Sequence, residues 1–296
     1  MAGPCRDFDE TLAIMRDRRK NMNIAVCYFS GTGNTAYVAK MIAKRLSEGS
    51  AQCSCNSIEE PGCLEAMQNA NTIVIGYPVY GSCIPRIMRE FLDKNLEIFK
   101  NKSVSVFATQ FLFSGDGAAL AGRRLKRAGA SIICLRHFRM PNNLCGLRIY
   151  PVRNNSIKDK RLIQKTEKKT GNFCAEILAG KGRRQGNNLI STGLGFLLQR
   201  ALFSIGEQQY AEAIRFNAEA CTRCGLCVRT CPTANLHLAE PSESLPISND
   251  GRCTLCYRCI NNCPERAISF FSNRQPESQY IPVWKHNALR IKTNNV

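Results

Sequence analysis

The sequence predicts an α/β chain: a parallel sheet covered by helices on both faces, followed by a small cysteine-rich module. Three observations carry this. Apolar, β-rich runs alternate with segments of helical periodicity through the first 180 residues. One of those runs, Thr72-Ile73-Val74-Ile75-Gly76, is apolar throughout rather than alternating, as a strand buried on both faces requires. Near the C-terminus, C-x2-C-x2-C-x3-C-P is written twice at a constant offset of 32: Cys221, Cys224, Cys227 and Cys231 before Pro232, then Cys253, Cys256, Cys259 and Cys263 before Pro264. A chain of 296 residues, 44% hydrophobic, is long enough for two such domains, each with its own core.

The chain opens with residues 1–21, rich in charge and without an apolar run long enough for a signal segment. They are expected to be an extension without chemistry. Ile24 to Phe29 then forms the first strand, followed at once by Ser30-Gly31-Thr32-Gly33-Asn34-Thr35. Val38, Ala39, Ile42, Ala43 and Leu46 recur at helical spacing after it. A strand, a tight glycine loop and a helix N-terminus together make an anion site, because backbone N–H groups and the helix dipole converge there. A nucleotide-hydrolysing loop would need Gly-Lys-Ser/Thr, and no lysine is present. Gly31-x-Gly33-x-x-Ala36 matches the dinucleotide fingerprint, a weak motif by itself. The hydroxyls of Ser30, Thr32 and Thr35, with the Asn34 amide, suit the several oxygens of a terminal monophosphate. This Ser-x-Thr-Gly-Asn-Thr loop resembles the FMN-phosphate loop of flavodoxins.

The following segments match that resemblance in order. Strands are expected near 24–29, 52–56, 72–76, 104–109 and 131–137, with helices near 35–47, 62–69, 85–93, 117–128 and 158–179. The flavodoxin resemblance implies a doubly wound parallel sheet in the order 2-1-3-4-5, with the ligand at the carboxyl ends of its strands. It implies that Pro78, Val79, Tyr80 and Gly81 flank the flavin ring, Tyr80 stacking on it and the Gly81 peptide meeting N5. A second flanking loop follows the strand at 104–109, with Thr109, Gln110, Phe111 and Gly115 as the implied contacts. Long-chain flavodoxins often carry Tyr-Gly here and this chain does not, so the cover of the second ring face is left open. Core packing is the competing reading for Tyr80 and Phe111. On these grounds an FMN-binding domain is expected over 22–180.

Met140 to Asn155 is long for a connection, and is expected to close over the flavin edge or face the cysteine module. Residues 181–206 read as a linker: a basic break at Lys181 to Gly186, then an apolar stretch from Leu189 to Ile205 interrupted by Gln199 and Arg200. That stretch falls short of a membrane span, so a helix packed between the domains is expected, with a membrane-surface helix as the alternative.

The repeated cysteine pattern has the spacing of [4Fe–4S] ligation. Zinc rarely uses a third cysteine two residues on, and a disulfide framework needs an oxidising compartment. Residues 207–271 resemble a two-cluster bacterial ferredoxin, a small α+β domain. In that family the fourth cysteine of each run ligates the other cluster. The resemblance therefore implies one cluster on Cys221, Cys224, Cys227 and Cys263, and another on Cys253, Cys256, Cys259 and Cys231. The tail, 272–296, is polar and mixed, with Trp284 expected to fold back.

The nine other cysteines show no ligand spacing beyond the single C-x-C at Cys53 and Cys55; Cys27 and Cys134 fall in predicted strands as small core residues. No nucleophile–base pair or hydrolase pattern is present. The formal charge is +18, of which residues 207–296 carry only +2. The basic residues are dispersed and no nucleic-acid-binding module accompanies them, so a basic face meeting an acidic redox partner is the expectation rather than nucleic acid. The absence of an export segment and seventeen cysteines point to a reducing cytoplasm. The expected function is electron transfer between two [4Fe–4S] clusters and FMN and on to a redox partner. A flavin-dependent reductase of a small substrate and a redox-sensing binding protein are the alternatives.

Overall fold

The structure, a computed structural model, describes residues 22–48, 51–146, 151–152, 154, 156–240, 247–270 and 274–282. The expected extension 1–21, part of the 140–155 connection and Trp284 lie outside the described residues. Strands β1 (Asn23–Tyr28), β2 (Gln52–Ser57), β3 (Thr72–Pro78), β4 (Ser103–Gln110) and β5 (Ser131–Arg139) form one sheet in the order β2-β1-β3-β4-β5. Every pairing in it is parallel. The expected topology is therefore present, and each strand lies within two residues of the expected range.

Helices α1 (Asn34–Glu48), α2 (Gly62–Asn69), α3 (Arg86–Lys94), α4 (Gly117–Arg127) and α5 (Ile157–Leu178) connect and cover the strands. α1 buries Val38, Ala39, Ile42, Ala43 and Leu46, the stripe its sequence spacing demands. Two cores result, one on each face of the sheet. On the α1/α5 face, Phe107, Phe138 and Phe173 meet edge to face at centroid distances of 5.8 to 6.3 Å. The opposite core contains Ile73, Ile75, Met88 and Leu125, together with Cys256 of the cysteine-rich module. That module is thus packed into the sheet domain.

The stretch Leu189 to Ile205 is not one continuous helix. It forms α6 (Leu189–Gly195), a π turn at Phe196–Arg200 and α7 (Ala201–Ala211). Gly193 and Gly195 weaken the end of α6. The π turn lies where Arg200 reaches back to Asp116. No helix among the described residues is long and apolar enough to cross a membrane.

In the cysteine-rich module the sequence duplication becomes a structural one. Strands β6 (Ile214–Phe216), β7 (Leu236–Leu238), β8 (Ile247–Asn249) and β9 (Ile268–Phe270) alternate with short helices α8 (Leu226–Arg229) and α9 (Arg258–Asn262). β6 pairs with β9 and β7 with β8, both antiparallel, so each half completes the other's sheet. The backbone repeats at the same offset of 32. Positive φ values recur at Arg223 and Leu255 (54° and 58°), Gly225 and Tyr257 (69° and 59°), and Ala234 and Arg266 (47° and 51°). Left-handed conformations at five non-glycine positions cost roughly 1–3 kcal/mol each, and persist only where a site constrains the chain.

Candidate functional site

The eight repeated cysteines separate into two sets of four. Cys231, Cys253, Cys256 and Cys259 line one cavity; Cys221, Cys224, Cys227 and Cys263 line another. Each set takes three cysteines from one run and the fourth from the other, as the resemblance implied. Among the described residues no three His, Cys, Asp or Glu converge closely enough to hold a single metal ion. Four thiols spread around a cavity suit a polynuclear centre better than one tetrahedral ion. Backbone N–H groups of Leu255, Asn235 and Ala267 donate to the sulfurs of Cys253, Cys231 and Cys263, each at 3.3 Å. Such bonds stabilise a thiolate and orient it. Burial pushes the Cys256 thiol up to about 12 and the Cys253 thiol to about 11. A bare sulfur there keeps its proton, and a metal must displace it.

The two cavities differ in exposure. Cys224 is exposed, whereas Cys256 is 6% exposed and belongs to the sheet core. A Cβ placed on Gly31 would lie 2.2 Å from the Cys256 carbonyl oxygen, so only glycine permits the module to approach this closely. Beside this contact, Arg258 spends all five of its N–H groups. It donates to the carbonyls of Gly31 (3.2 Å), Ser30 (2.9 Å) and Thr230 (3.0 Å), and to both oxygens of Glu59 (2.8 and 2.9 Å). Burial works against its charge, but Glu59 more than offsets that and holds the guanidinium above its ordinary pKa.

Ser30, Gly31, Thr32, Asn34 and Thr35 line a common cavity with Pro78, Val79, Tyr80, Thr109, Gln110 and Phe111. Most of the expected loop and ring residues are therefore brought together; Gly33, Gly81 and Gly115 are not among its walls. The N–H groups of Gly31, Thr32, Asn34 and Thr35 donate to nothing among the described residues, while that of Gly33 meets Ser30 Oγ at 3.1 Å. Unsatisfied amides at the start of α1 are the donors an anion requires. The Asn34 side chain is already committed: its Nδ2 donates to Pro141 O (3.1 Å) and its Oδ1 accepts from Tyr280 (2.6 Å). Asn34 thus braces the loop with its side chain and offers an anion its backbone. The hydroxyls of Thr35 and Thr109 share a hydrogen bond of 2.7 Å. The Tyr80 hydroxyl is buried without a hydrogen-bond partner among the described residues, with the Cys256 thiol and the Arg258 guanidinium as neighbouring groups.

The described part of the 140–155 connection lines the cavity of the loop after β1 and also meets the cysteine module. Met140, Pro141, Asn143 and Leu144 cover the cavity, and Asn143 donates to Thr32 Oγ1 at 2.6 Å. Asn261 of α9 donates to the Asn143 carbonyl at 3.1 Å, tying the cover to the cysteine module. Gly81 and Gly115 instead face the segment after the sheet domain. A Cβ on Gly81 would meet Phe203 at 2.2 Å, and one on Gly115 would meet Ser191 O at 2.6 Å. Asp116, fully buried, pairs with Arg123 and Arg200.

Arg258, Asn143, Asn261 and Tyr280 were not anticipated from sequence. One signal existed for Arg258: its counterpart at the offset of 32 is Leu226, so the repeat departs from itself at the contact.

Comparisons with known proteins agree with these two halves. Residues 25–127 match the family model described as a flavodoxin domain, and residues 213–264 match a 4Fe-4S dicluster domain. No curated protein matches the chain. A flavodoxin from the domain Archaea superposes on 53% of this chain and 99% of its own, with 19% identity and a TM-score of 0.40. Megasphaera elsdenii flavodoxin covers 49% of this chain and 98% of its own, with 22% identity and a TM-score of 0.37. Rubredoxin oxygen:oxidoreductase of Desulfovibrio gigas covers 58% of this chain and 41% of its own, with 12% identity and a TM-score of 0.38. The chain therefore joins an N-terminal flavodoxin domain to a C-terminal 4Fe-4S dicluster domain, the make-up of an iron–sulfur flavoprotein of electron transfer.

Proposed function

We propose that this chain relays electrons internally, between FMN at the loop after β1 and two [4Fe–4S] clusters, and exchanges them with a redox partner protein. The observation that carries the reading is the contact of Cys256 and Arg258 with Ser30 and Gly31. It sets one cysteine cavity directly against the phosphate loop. Cys231, Cys253, Cys256 and Cys259 would hold the cluster nearest the flavin; Cys221, Cys224, Cys227 and Cys263 would hold the outer one. The exposure of Cys224 supports exchange with a partner at the outer site.

FMN, when bound, handles one or two electrons while each cluster handles one, so their union interconverts the two kinds of traffic. The chain's own residues do the rest. The amides of Gly31, Thr32, Asn34 and Thr35, with the hydroxyls of Ser30, Thr32 and Thr35, would hold the phosphate at the positive end of α1. Tyr80 and Phe111 would bound the ring, with Pro78, Val79, Thr109 and Gln110 completing its pocket. Gly33, Gly81 and Gly115 shape the loops, the last two lying against Phe203 and Ser191. The N–H···S bonds at Cys231, Cys253 and Cys263 would favour the more negative, reduced form of a cluster held there.

The test is anaerobic preparation followed by iron, sulfide and flavin analysis and a reductive titration. About eight iron and one FMN per chain are expected, with electrons placed on the clusters redistributing to the flavin. Zinc in place of iron, absence of flavin, or two centres that never equilibrate would overturn the reading.

A further inference from the structure

We propose that the cleft between α5 and the loop after β4 binds an elongated organic polyanion, a multiply phosphorylated molecule of nucleotide size. The cleft encloses about 750 Å³, which falls within the range of small-molecule sites. Among the described residues its walls carry Arg139, Lys158, Arg161, Lys165 and Lys169 against one carboxylate, Asp159. Lys169 is committed elsewhere: its ammonium donates to the His137 carbonyl at 2.7 Å and lies over the Phe138 ring. Among the described residues, Arg139 donates through its Nε alone, to the Phe111 carbonyl at 3.3 Å. Lys158, Arg161 and Lys165 stand at i, i+3 and i+7, on one face of α5. They spread over about 10 Å of helix.

None of Arg139, Lys158, Arg161 and Lys165 forms an ion pair among the described residues. Unpaired cations around a concavity raise its positive potential and concentrate anions within it. Their spacing asks for negative charge at two separated points, which one small ion does not supply. Phe111, Leu112 and Leu162 give the cleft an apolar wall against which an organic body can lie. Phe111 also lines the cavity of the phosphate loop. The occupant and the flavin ring would therefore share one wall, and this deepens the electron-transfer reading by giving the flavin an anionic substrate. That placement rests on the FMN assignment; the anion site itself does not.

The experiment uses chain loaded with iron and FMN, titrated calorimetrically with ADP, and with adenosine as the uncharged control, at low and at physiological salt. ADP is expected to bind more tightly than adenosine and to weaken with salt. The exposed pair Arg161→Gln/Lys165→Gln should lose about tenfold or more in ADP affinity while keeping its iron and flavin content. ADP should also perturb the flavin absorbance. Affinity for ADP no better than for adenosine, or unchanged in the double variant, overturns the site; binding without spectral change overturns its position beside the ring. Cofactor analysis judges the FMN assignment separately from the ADP affinity.

Discussion

Replacing Arg258 by Lys keeps the charge and removes the fork that joins the two domains. Arg258 makes five hydrogen bonds with its five N–H groups. A lysine ammonium has three, so at least two of the acceptors on Gly31, Ser30, Thr230 and Glu59 lose their partner. At about 1–1.5 kcal/mol for each, the Lys variant should be about 2–3 kcal/mol less stable. The side chains of Arg258 and Glu59 are 19% and 28% exposed, so water screens the ion pair only in part. A cycle with Glu59→Gln should give a coupling energy of about 1–2 kcal/mol, above the range of open surface pairs. The assay is urea titration of flavin release, read at unchanged m-value. Additivity of the two substitutions within about 0.3–0.5 kcal/mol would refute the argument that Arg258 and Glu59 act as one joint.

Three further outcomes are expected. Gly31→Ala should cost about 1–3 kcal/mol by forcing the Cys256 backbone away, whereas Gly62→Ala, whose Cβ meets nothing within 4 Å, should be neutral or stabilising; equal effects would remove the close-approach argument. Cys263→Ser should abolish the same electron-paramagnetic-resonance signal as Cys221→Ser, leaving about four iron per chain, and loss of the signal that Cys259→Ser abolishes would refute the crossed sets. His137 is held neutral, at a pKa lowered to about 4, by burial and then by Lys169, while its Nε2 accepts from the Ala118 N–H at 2.8 Å. The unfolded chain binds a proton at about 6.5 that the folded chain refuses, so stability is fully present above that pH. It falls by about 3 kcal/mol as pH drops toward 4, and His137→Gln should flatten this slope in urea midpoints measured against pH.

The sheet domain was largely legible in the sequence because its signals are local. β3 is a continuous apolar run, α1 shows its stripe every three to four residues, and the loop between β1 and α1 concentrates hydroxyls and glycines in six positions. The eight candidate cysteines were legible because duplication marks them; their crossed grouping came from the ferredoxin resemblance. What escaped are contacts between distant segments, where nothing nearby in sequence hints at the partner. Arg258 meets residues 227 and 228 positions away, and Tyr280 meets Asn34 across 246. The four three-residue strands of the module are too short to show a period. The π turn at Phe196–Arg200 coincides with Arg200 pairing to the buried carboxylate of Asp116, 84 residues away, a contact no local pattern announces.

Among the described residues the two halves of the module meet the sheet domain unequally: Arg258 binds the loop after β1, while its twin position in the repeat is Leu226, which has no group to do so. If each cavity holds a cluster, as proposed, two sites alike in ligand chemistry have unlike surroundings, one with a cysteine in the sheet core and one with a cysteine at the surface. Solvent access alone is enough to separate their affinities for an electron. On that reading, a directional gradient would arise from where a symmetric part was fastened, with no change to any of its ligands.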